Sequence, residues 1–381
     1  MAGIYIHIPY CKSICHYCDF YSIKDPGSHE DFINALLKEA VRRKDYLSGE
    51  TVSTIYFGGG TPSVLNIREL ERIIVMLYDN YRIENDCEIT IELNPDDINY
   101  NYLVGLKKTG FNRLSYGIQS WNDNILKMLN RRHNSSQSEI AIRDSFKAGF
   151  INISVDLIYG IPGYSSEEWS RNLDLTTGYD IKHISAYHLT IEPGTEFGKR
   201  KKKGLLMEID EEESNDQFNI LVEKTEKAGF IQYEISNFGK EGWFSRHNSN
   251  YWRQVSYLGL GPSAHSFNQI SRQWNVSDVN KYINSIRKNK IFYYKEQLDI
   301  RKRFNEYIMT SLRTIWGIDT EFVEQNFGKE GYDYIINISG KFIDYGLMQL
   351  QGHKLILTNP GKMISDNIIS EFMVTDNSRT K

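Results

Sequence analysis

Three of the chain's four cysteines lie within eight positions, in Cys11-Lys12-Ser13-Ile14-Cys15-His16-Tyr17-Cys18. The spacing is C-x3-C-x2-C. A short loop of this kind brings three thiolates to one site, and three thiolates hold a [4Fe–4S] cube by three of its four irons. The fourth iron is then left to a substrate, much as a catalytic zinc keeps one open position. The rival is a structural zinc bound by three cysteines and His16 or His7. Structural zinc sites draw on two separated ligand pairs, and the sequence holds no second pair. The spacing therefore favours iron–sulfur and leaves zinc as the alternative. Cys87 stands alone in Cys87-Glu88-Ile89-Thr90-Ile91 and reads as a small buried hydrophobe.

A second feature is Gly58-Gly59-Gly60-Thr61-Pro62. Glycines let a backbone approach a ligand closely. On its own such a run is only a turn.

The elements that must position these residues follow from periodicity. Ile4–Ile8, Thr54–Phe57, 87–93, Arg113–Ile118, Asn152–Tyr159 and Lys182–Leu189 read as strands. Helical patterns alternate with them: one opened by Ser28 with Asp31 near a capping-box position, then 67–80, 99–109, 122–129, 137–148 and 166–176. Six β-then-α units imply a parallel sheet with right-handed crossovers, either a partial α/β barrel or an open doubly wound sheet. Function then sits at the C-terminal strand ends, where the glycine run, Glu92 and Gln119 fall.

Beyond residue 200 the pattern changes. Lys199–Lys203 is a basic run that reads as a solvated loop, and a helix is expected over 211–228. Residues 236–271 read as an aromatic-rich loop. From about 275 helices are expected, then a β-prone tail, as in a small α+β or winged-helix-like module. The expected division is 1–270 and 271–381.

Composition narrows the function classes. The 381 residues suit two domains, and 45 Lys+Arg against 49 Asp+Glu leave a net charge of -4. That balance argues against bulk nucleic-acid binding. No apolar stretch is long enough to cross a membrane. The N-terminus does not read as an export signal, so a reducing, cytoplasmic setting is expected.

The cysteine loop, with an aromatic before its last cysteine and a place after the first strand, resembles the radical S-adenosylmethionine superfamily. The resemblance extends, in order, over Tyr5–Cys11, Glu92 within Ile91–Pro95, Ser115–Ser120, Asn130–His133 and Val155–Gly163. Over residues 1–370 the set is similar to the family of the oxygen-independent coproporphyrinogen III oxidase, HemN, and its relative HemW, a heme chaperone. The resemblance implies a partial (β/α)6 TIM-like barrel with a smaller C-terminal α+β or helical domain. It implies that Cys11, Cys15 and Cys18 hold a [4Fe–4S] cluster. It further implies that Tyr5, Tyr17, Gly59, Gly60, Thr61, Glu92, Gln119, Arg131 and Asp156 contact S-adenosylmethionine, which the cluster reduces by one electron. The residue types suit these roles: Glu92 for an ammonium, Asp156 for ribose hydroxyls, Arg131 for a carboxylate.

Two departures separate the branches. The oxidase has a further cysteine two positions after the third, where this chain has Phe20, and a long segment before its cluster loop, where this chain has ten residues. Both weigh against the alternative, radical decarboxylation of propionates in porphyrin biosynthesis. His247-Asn248-Ser249-Asn250-Tyr251-Trp252 matches an H-N-x-x-Y-W signature of the chaperone branch. Histidine is a natural axial ligand for heme iron, and His247 is the expected one. The implied activity is delivery of heme to membrane hemoproteins such as respiratory cytochromes, with attachment to the inner membrane face at most peripheral. The sequence leaves open whether S-adenosylmethionine is turned over.

Overall fold

Alternation of apolar and polar residues, as in Glu88-Ile89-Thr90-Ile91-Glu92, gives a strand one face for helices to cover and one for a polar interior. In the computed structural model, which describes residues 1–375, six such strands run parallel in chain order. They are β1 (Ala2–Ile8), β2 (Val52–Gly59), β3 (Ile83–Leu93), β4 (Arg113–Gln119), β5 (Asn152–Tyr159) and β6 (His183–His188). Helices return the chain between them: α1 (Glu30–Arg42), α2 (Ile67–Asn80), α3 (Tyr100–Thr109), α4 (Asp123–Met128), α5 (Ser135–Lys147) and α6 (Ser166–Thr177). This is the expected partial (β/α)6 barrel. Ile55, Phe57, Ile89, Ile91, Leu114, Val155 and Ile184 are buried in the core between sheet and helices.

Local chemistry sets the helix starts. Asn66 with Glu69, Asn134 with Gln137 and Ser165 with Glu168 each form a capping box. The expected box at Ser28 and Asp31 does not form. There α1 begins at Glu30 behind His29, and both His29 ring nitrogens are taken by Asp25 and Glu69.

The second half departs further from expectation. After α7 (Glu196–Lys202) and α8 (Glu211–Lys227), β7 (Ile231–Glu234) and β8 (Asn237–Gly239) add an antiparallel hairpin to β6. The basic run thus lies mostly on a helix, with Arg200 and Lys201 paired to Glu196 and Glu208. The segment expected as a loop holds α9 (Arg246–Trp252), β9 (Tyr257–Leu260) and β10 (His265–Phe267). β9 lies parallel to the outer edge of β1, pairing Tyr257 with Gly3. β10, β11 (Ser271–Asn275) and β12 (Tyr293–Gln297) continue outward as antiparallel strands and complete a twelve-stranded sheet. Glycine, serine and asparagine in this stretch disguised strands whose pairing supplies what their propensity lacks.

The cores divide accordingly. The larger one extends to Phe292, with Tyr293 packed against it, and the second begins at Phe304. The expected boundary at 270 falls immediately before β11, inside the large sheet, and residues 376–381 of the expected second unit lie outside the described residues. The second core joins helix Ile300–Leu312 and the helical stretch Thr320–Asp344, which is broken at Gly328 (φ +78°), to a three-stranded sheet of Ile318–Asp319, Lys354–Leu357 and Met348–Gln351. No helix among the described residues is long and apolar enough to cross a membrane.

Candidate cluster and cofactor site

The cysteine loop is tied at both ends by backbone hydrogen bonds. Tyr10–Cys11 pairs with Ile23–Lys24, and the Asp25 amide donates to the Cys11 carbonyl at 2.9 Å. At the far side, the His16 amide donates to the Leu129 carbonyl, and Asn130 donates from Nδ2 to the Ile14 carbonyl at 2.7 Å. The glycine run closes the third side. Gly60 and Thr61 donate their amides to the Ile8 and Tyr10 carbonyls, both at 2.8 Å. A side chain at Gly60 would put its Cβ 2.8 Å from the Tyr10 carbonyl oxygen, and at Gly59, with φ +106°, 2.5 Å from the His7 ring. Only glycine fits both positions.

Cys11, Cys15 and Cys18 line one cavity of about 420 Å³, in the size range of small-molecule sites. Tyr17, Gly59, Gly60, Thr61, Glu92, Gln119, Arg131 and Asp156 line it too. It lies at the C-terminal ends of the parallel strands, where open and closed α/β sheets place function. Every sequence-predicted cluster and cofactor residue reaches this cavity except Tyr5.

Hydrogen-bond donors reach the sulfurs, among them Ser22 toward Cys11 and the Phe20 backbone toward Cys18. Thr61 Oγ1 donates to Cys11 Sγ at 3.3 Å and Arg131 Nη1 to Cys15 Sγ at 3.4 Å. Burial pushes the Cys11 thiol up, and pushes Cys18 up to about 11, so metal loading here must displace protons. Among the described residues, only Asp319, Glu321 and His353 offer three ligand atoms all within 4.8 Å of one another. At least one pair of the three cysteine sulfurs is therefore wider than that. A zinc tetrahedron with ~2.3 Å bonds would need them ~3.8 Å apart, whereas a cube spreads its ligands over three irons. Of the two histidines that a zinc could use, His7 has both ring nitrogens engaged and His16 has one. His7 Nε2 donates to the Tyr21 carbonyl at 2.8 Å and its Nδ1 accepts from the Tyr5 hydroxyl, while His16 Nδ1 donates to the Met128 carbonyl.

Opposite the sulfurs, two carboxyls share the floor. Glu92 accepts from Tyr56 Oη at 2.9 Å and from the Gly59 amide at 3.2 Å. Burial, reinforced by the charge of Asp156, pushes its pKa up to about 7. Burial likewise raises Asp156 to about 6, against hydrogen bonds from Ser185 and Ser115 and the charge of Arg113. Carboxyls held so high are poised for a cationic or hydroxylated ligand that favours the ionised form. Arg131 donates to Asn94 Oδ1, the Gly117 carbonyl and Cys15, yet its buried Nε–H has no partner, nor has that of Arg113. Buried donors left unpaired cost roughly 1–3 kcal/mol each, which an anionic ligand group would recover. The residue set thus fits a molecule with cationic, carboxylate and hydroxyl groups beside a metal cube. Gln119 holds φ +66° at its strand end, the kind of strain that collects at functional sites.

Sequence reasoning missed Tyr56, Arg113, Ser185 and Tyr187, which share the inner face of β2, β4 and β6 at this cavity. Their signal was the period-two polar face running toward Gly58 and Glu92.

His247 does not line the cavity. It is 1 % exposed, with Nδ1 on Thr54 Oγ1 and Nε2 on Tyr251 Oη, both at 2.8 Å. Its amide and that of Arg246 donate to Glu88. Tyr5 stacks near it and faces a different cavity.

Comparison with known proteins matches this architecture. Residues 5–176 match the model of the radical SAM superfamily. The chain is 32% identical to the heme chaperone HemW of Bacillus subtilis over 378 residues, covering 98% of this chain and 99% of that one. It is 35% identical to the heme chaperone HemW of Escherichia coli over 265 residues, 69% of each chain. The fold is that of the E. coli coproporphyrinogen III oxidase HemN, with a TM-score of 0.85 at 22% identity over 98% of this chain and 90% of that one. The identity to these chaperones over nearly the full length places the chain in the HemW heme chaperone family of the radical SAM superfamily.

Proposed function

We propose that this chain is a heme chaperone whose strand-end cavity holds a [4Fe–4S] cluster on Cys11, Cys15 and Cys18 and binds S-adenosylmethionine beside it. The observation that carries this reading is the convergence of three thiols, two proton-poised carboxyls and an unpaired arginine donor on one cavity. Together, cluster and S-adenosylmethionine supply one-electron reduction of a sulfonium. The chain's own residues position the ligand. Glu92 accepts from its ammonium, with Gly59, Gly60 and Thr61 alongside. Arg131 directs Nε–H at its carboxylate, Asp156 accepts from its ribose, and Tyr17 and Gln119 close the sides. In this role the cofactor governs heme transfer, and the cargo goes to membrane hemoproteins such as respiratory cytochromes. The protein works in the cytoplasm, at most peripheral to the membrane. The unit up to about residue 298 carries the cluster, and the smaller C-terminal unit shapes the rim.

The test is anaerobic reconstitution followed by separate offers of heme and coproporphyrinogen III with S-adenosylmethionine and reductant. Stoichiometric heme binding without decarboxylated product is expected. Turnover to protoporphyrinogen would replace this reading with the oxidase.

A further inference from the structure

Cargo needs a seat, and His247, the expected iron ligand, has both ring nitrogens engaged in the interior. The other eight histidines can be sorted in the same way. His7, His29 and His183 have both nitrogens bonded. His16 and His133 each use one on a carbonyl, His188 uses one on Ser214, and His353 pairs with Asp319. Among the described residues, His265 is the one histidine with neither ring nitrogen in a hydrogen bond or ion pair.

His265 is exposed, and it faces a second cavity of about 420 Å³, walled by Tyr5, Tyr21, Tyr257 and Phe267. Its ring is braced from behind by Trp274 at 6.2 Å, which in turn stacks on Tyr294 at 5.9 Å. Partial shielding of the ring and the nearby Arg272 hold its pKa below the ordinary value, so at neutral pH the imidazole keeps a lone pair for a metal. Arg272 also lines the cavity. It pairs with Glu306 at 3.0 Å through Nη2, and its buried Nε–H has no partner. Phe20 is 73 % exposed and lines both this cavity and the cluster cavity. An exposed phenylalanine between two cavities offers an apolar face with nothing packed on it.

Flat aromatic walls, one uncommitted imidazole and an unpaired guanidinium N–H are the parts that an iron porphyrin with carboxylate side chains requires. We propose that heme is seated in this aromatic cavity, with His265 on the iron, Arg272 toward a propionate, and Phe20 as the partition from the cluster cavity. The proposal rests on the heme-chaperone reading above and adds the location and the ligand.

The full-length protein with its cluster reconstituted would be titrated with hemin and followed at the Soret band. His265→Ala is expected to weaken binding at least tenfold, while the iron–sulfur absorption and S-adenosylmethionine binding stay unchanged. His265→Met should retain heme with a shifted Soret band, which a merely structural role for the ring would not produce. Heme affinity and spectrum unchanged in both variants would overturn the location, as would loss of binding in His188→Ala instead, because His188 lines the cluster cavity. A wild-type protein that binds no hemin would overturn the chaperone reading itself, a result distinct from either.

Discussion

The two cavities flanking Phe20 have equal volumes of about 420 Å³ and opposite construction. The cluster cavity is built from strand ends and one loop laced by backbone hydrogen bonds, and its working groups are charged and mutually bonded. The aromatic cavity is built from side chains of β1, α9, β9, β10 and β11, the cysteine loop and a helix of the second core, and its imidazole and one guanidinium N–H lack partners. The first is organised to hold what it binds in one orientation. The second sets flat aromatic rings beside a few polar groups, Asp19, Arg272 and Glu306 among them, which suits a cargo that has to leave. A site that keeps a cofactor gains from preorganised donors, whereas a site that hands over a ligand does not.

Removing a cluster ligand separates the two most sharply. Cys15→Ala is expected to abolish the visible iron–sulfur absorption, since two thiolates do not replace three. Hemin binding followed at the Soret band should survive within about threefold, because no cysteine lines the aromatic cavity. Loss of both would mean that the cavities are one site.

That prediction also marks what the sequence made legible. The cysteine loop and glycine run are contiguous, so their spacing carried the chemistry, and the six parallel strands followed from alternation. Glu92, Arg131 and Asp156 are isolated residues that needed the family resemblance to be singled out. The aromatic cavity was invisible because its parts come from strands that read as a loop. Tyr257 and His265 sit in a stretch of glycine, serine and asparagine, and only pairing against β1 turns it into sheet. His247 stands away from the cluster cavity for a related reason. An H-N-x-x-Y-W run specifies residues at helical spacing, and α9 turns its histidine inward to Thr54 while Asn248 reaches the cluster cavity.

The next effect concerns the carboxyl floor. Glu92→Gln removes a charge-assisted partner, and S-adenosylmethionine binding by calorimetry should fall ~10–100-fold, with hemin binding unaffected. The pKa of Glu92 is raised in the fold, from 4.5 to about 7. Between these values the folded state holds a proton that the unfolded chain has released, so stability of the unliganded protein declines as pH rises through this window. The penalty is complete above pH 7. Glu92→Gln should therefore raise the melting temperature by roughly 2–4 °C at pH 8 and change it little at pH 4. In the wild type, S-adenosylmethionine should bind more tightly at pH 8 than at pH 6, because the ligand's cation favours the ionised carboxylates. A pH-independent affinity would show that Glu92 and Asp156 do not face the cationic part of the ligand.

The smallest effect on ligands, and the one that decides between two histidines, belongs to His247. Its ring fills space between Tyr56 at 5.0 Å and Tyr251 at 4.8 Å, and joins Thr54 to Tyr251. His247→Ala leaves a void and strands two buried hydroxyls, so unfolding stability should drop by about 2–4 kcal/mol. Burial holds the imidazole well below its ordinary pKa, at about 3, so it is neutral at pH 7 and the loss should be the same at pH 6 and pH 8. Hemin affinity of the folded variant should stay within about twofold of wild type. A tenfold weakening with little loss of stability would invert the assignment. It would mean that α9 opens to free His247 for iron and that the polar side of Phe20, not the aromatic one, carries the heme.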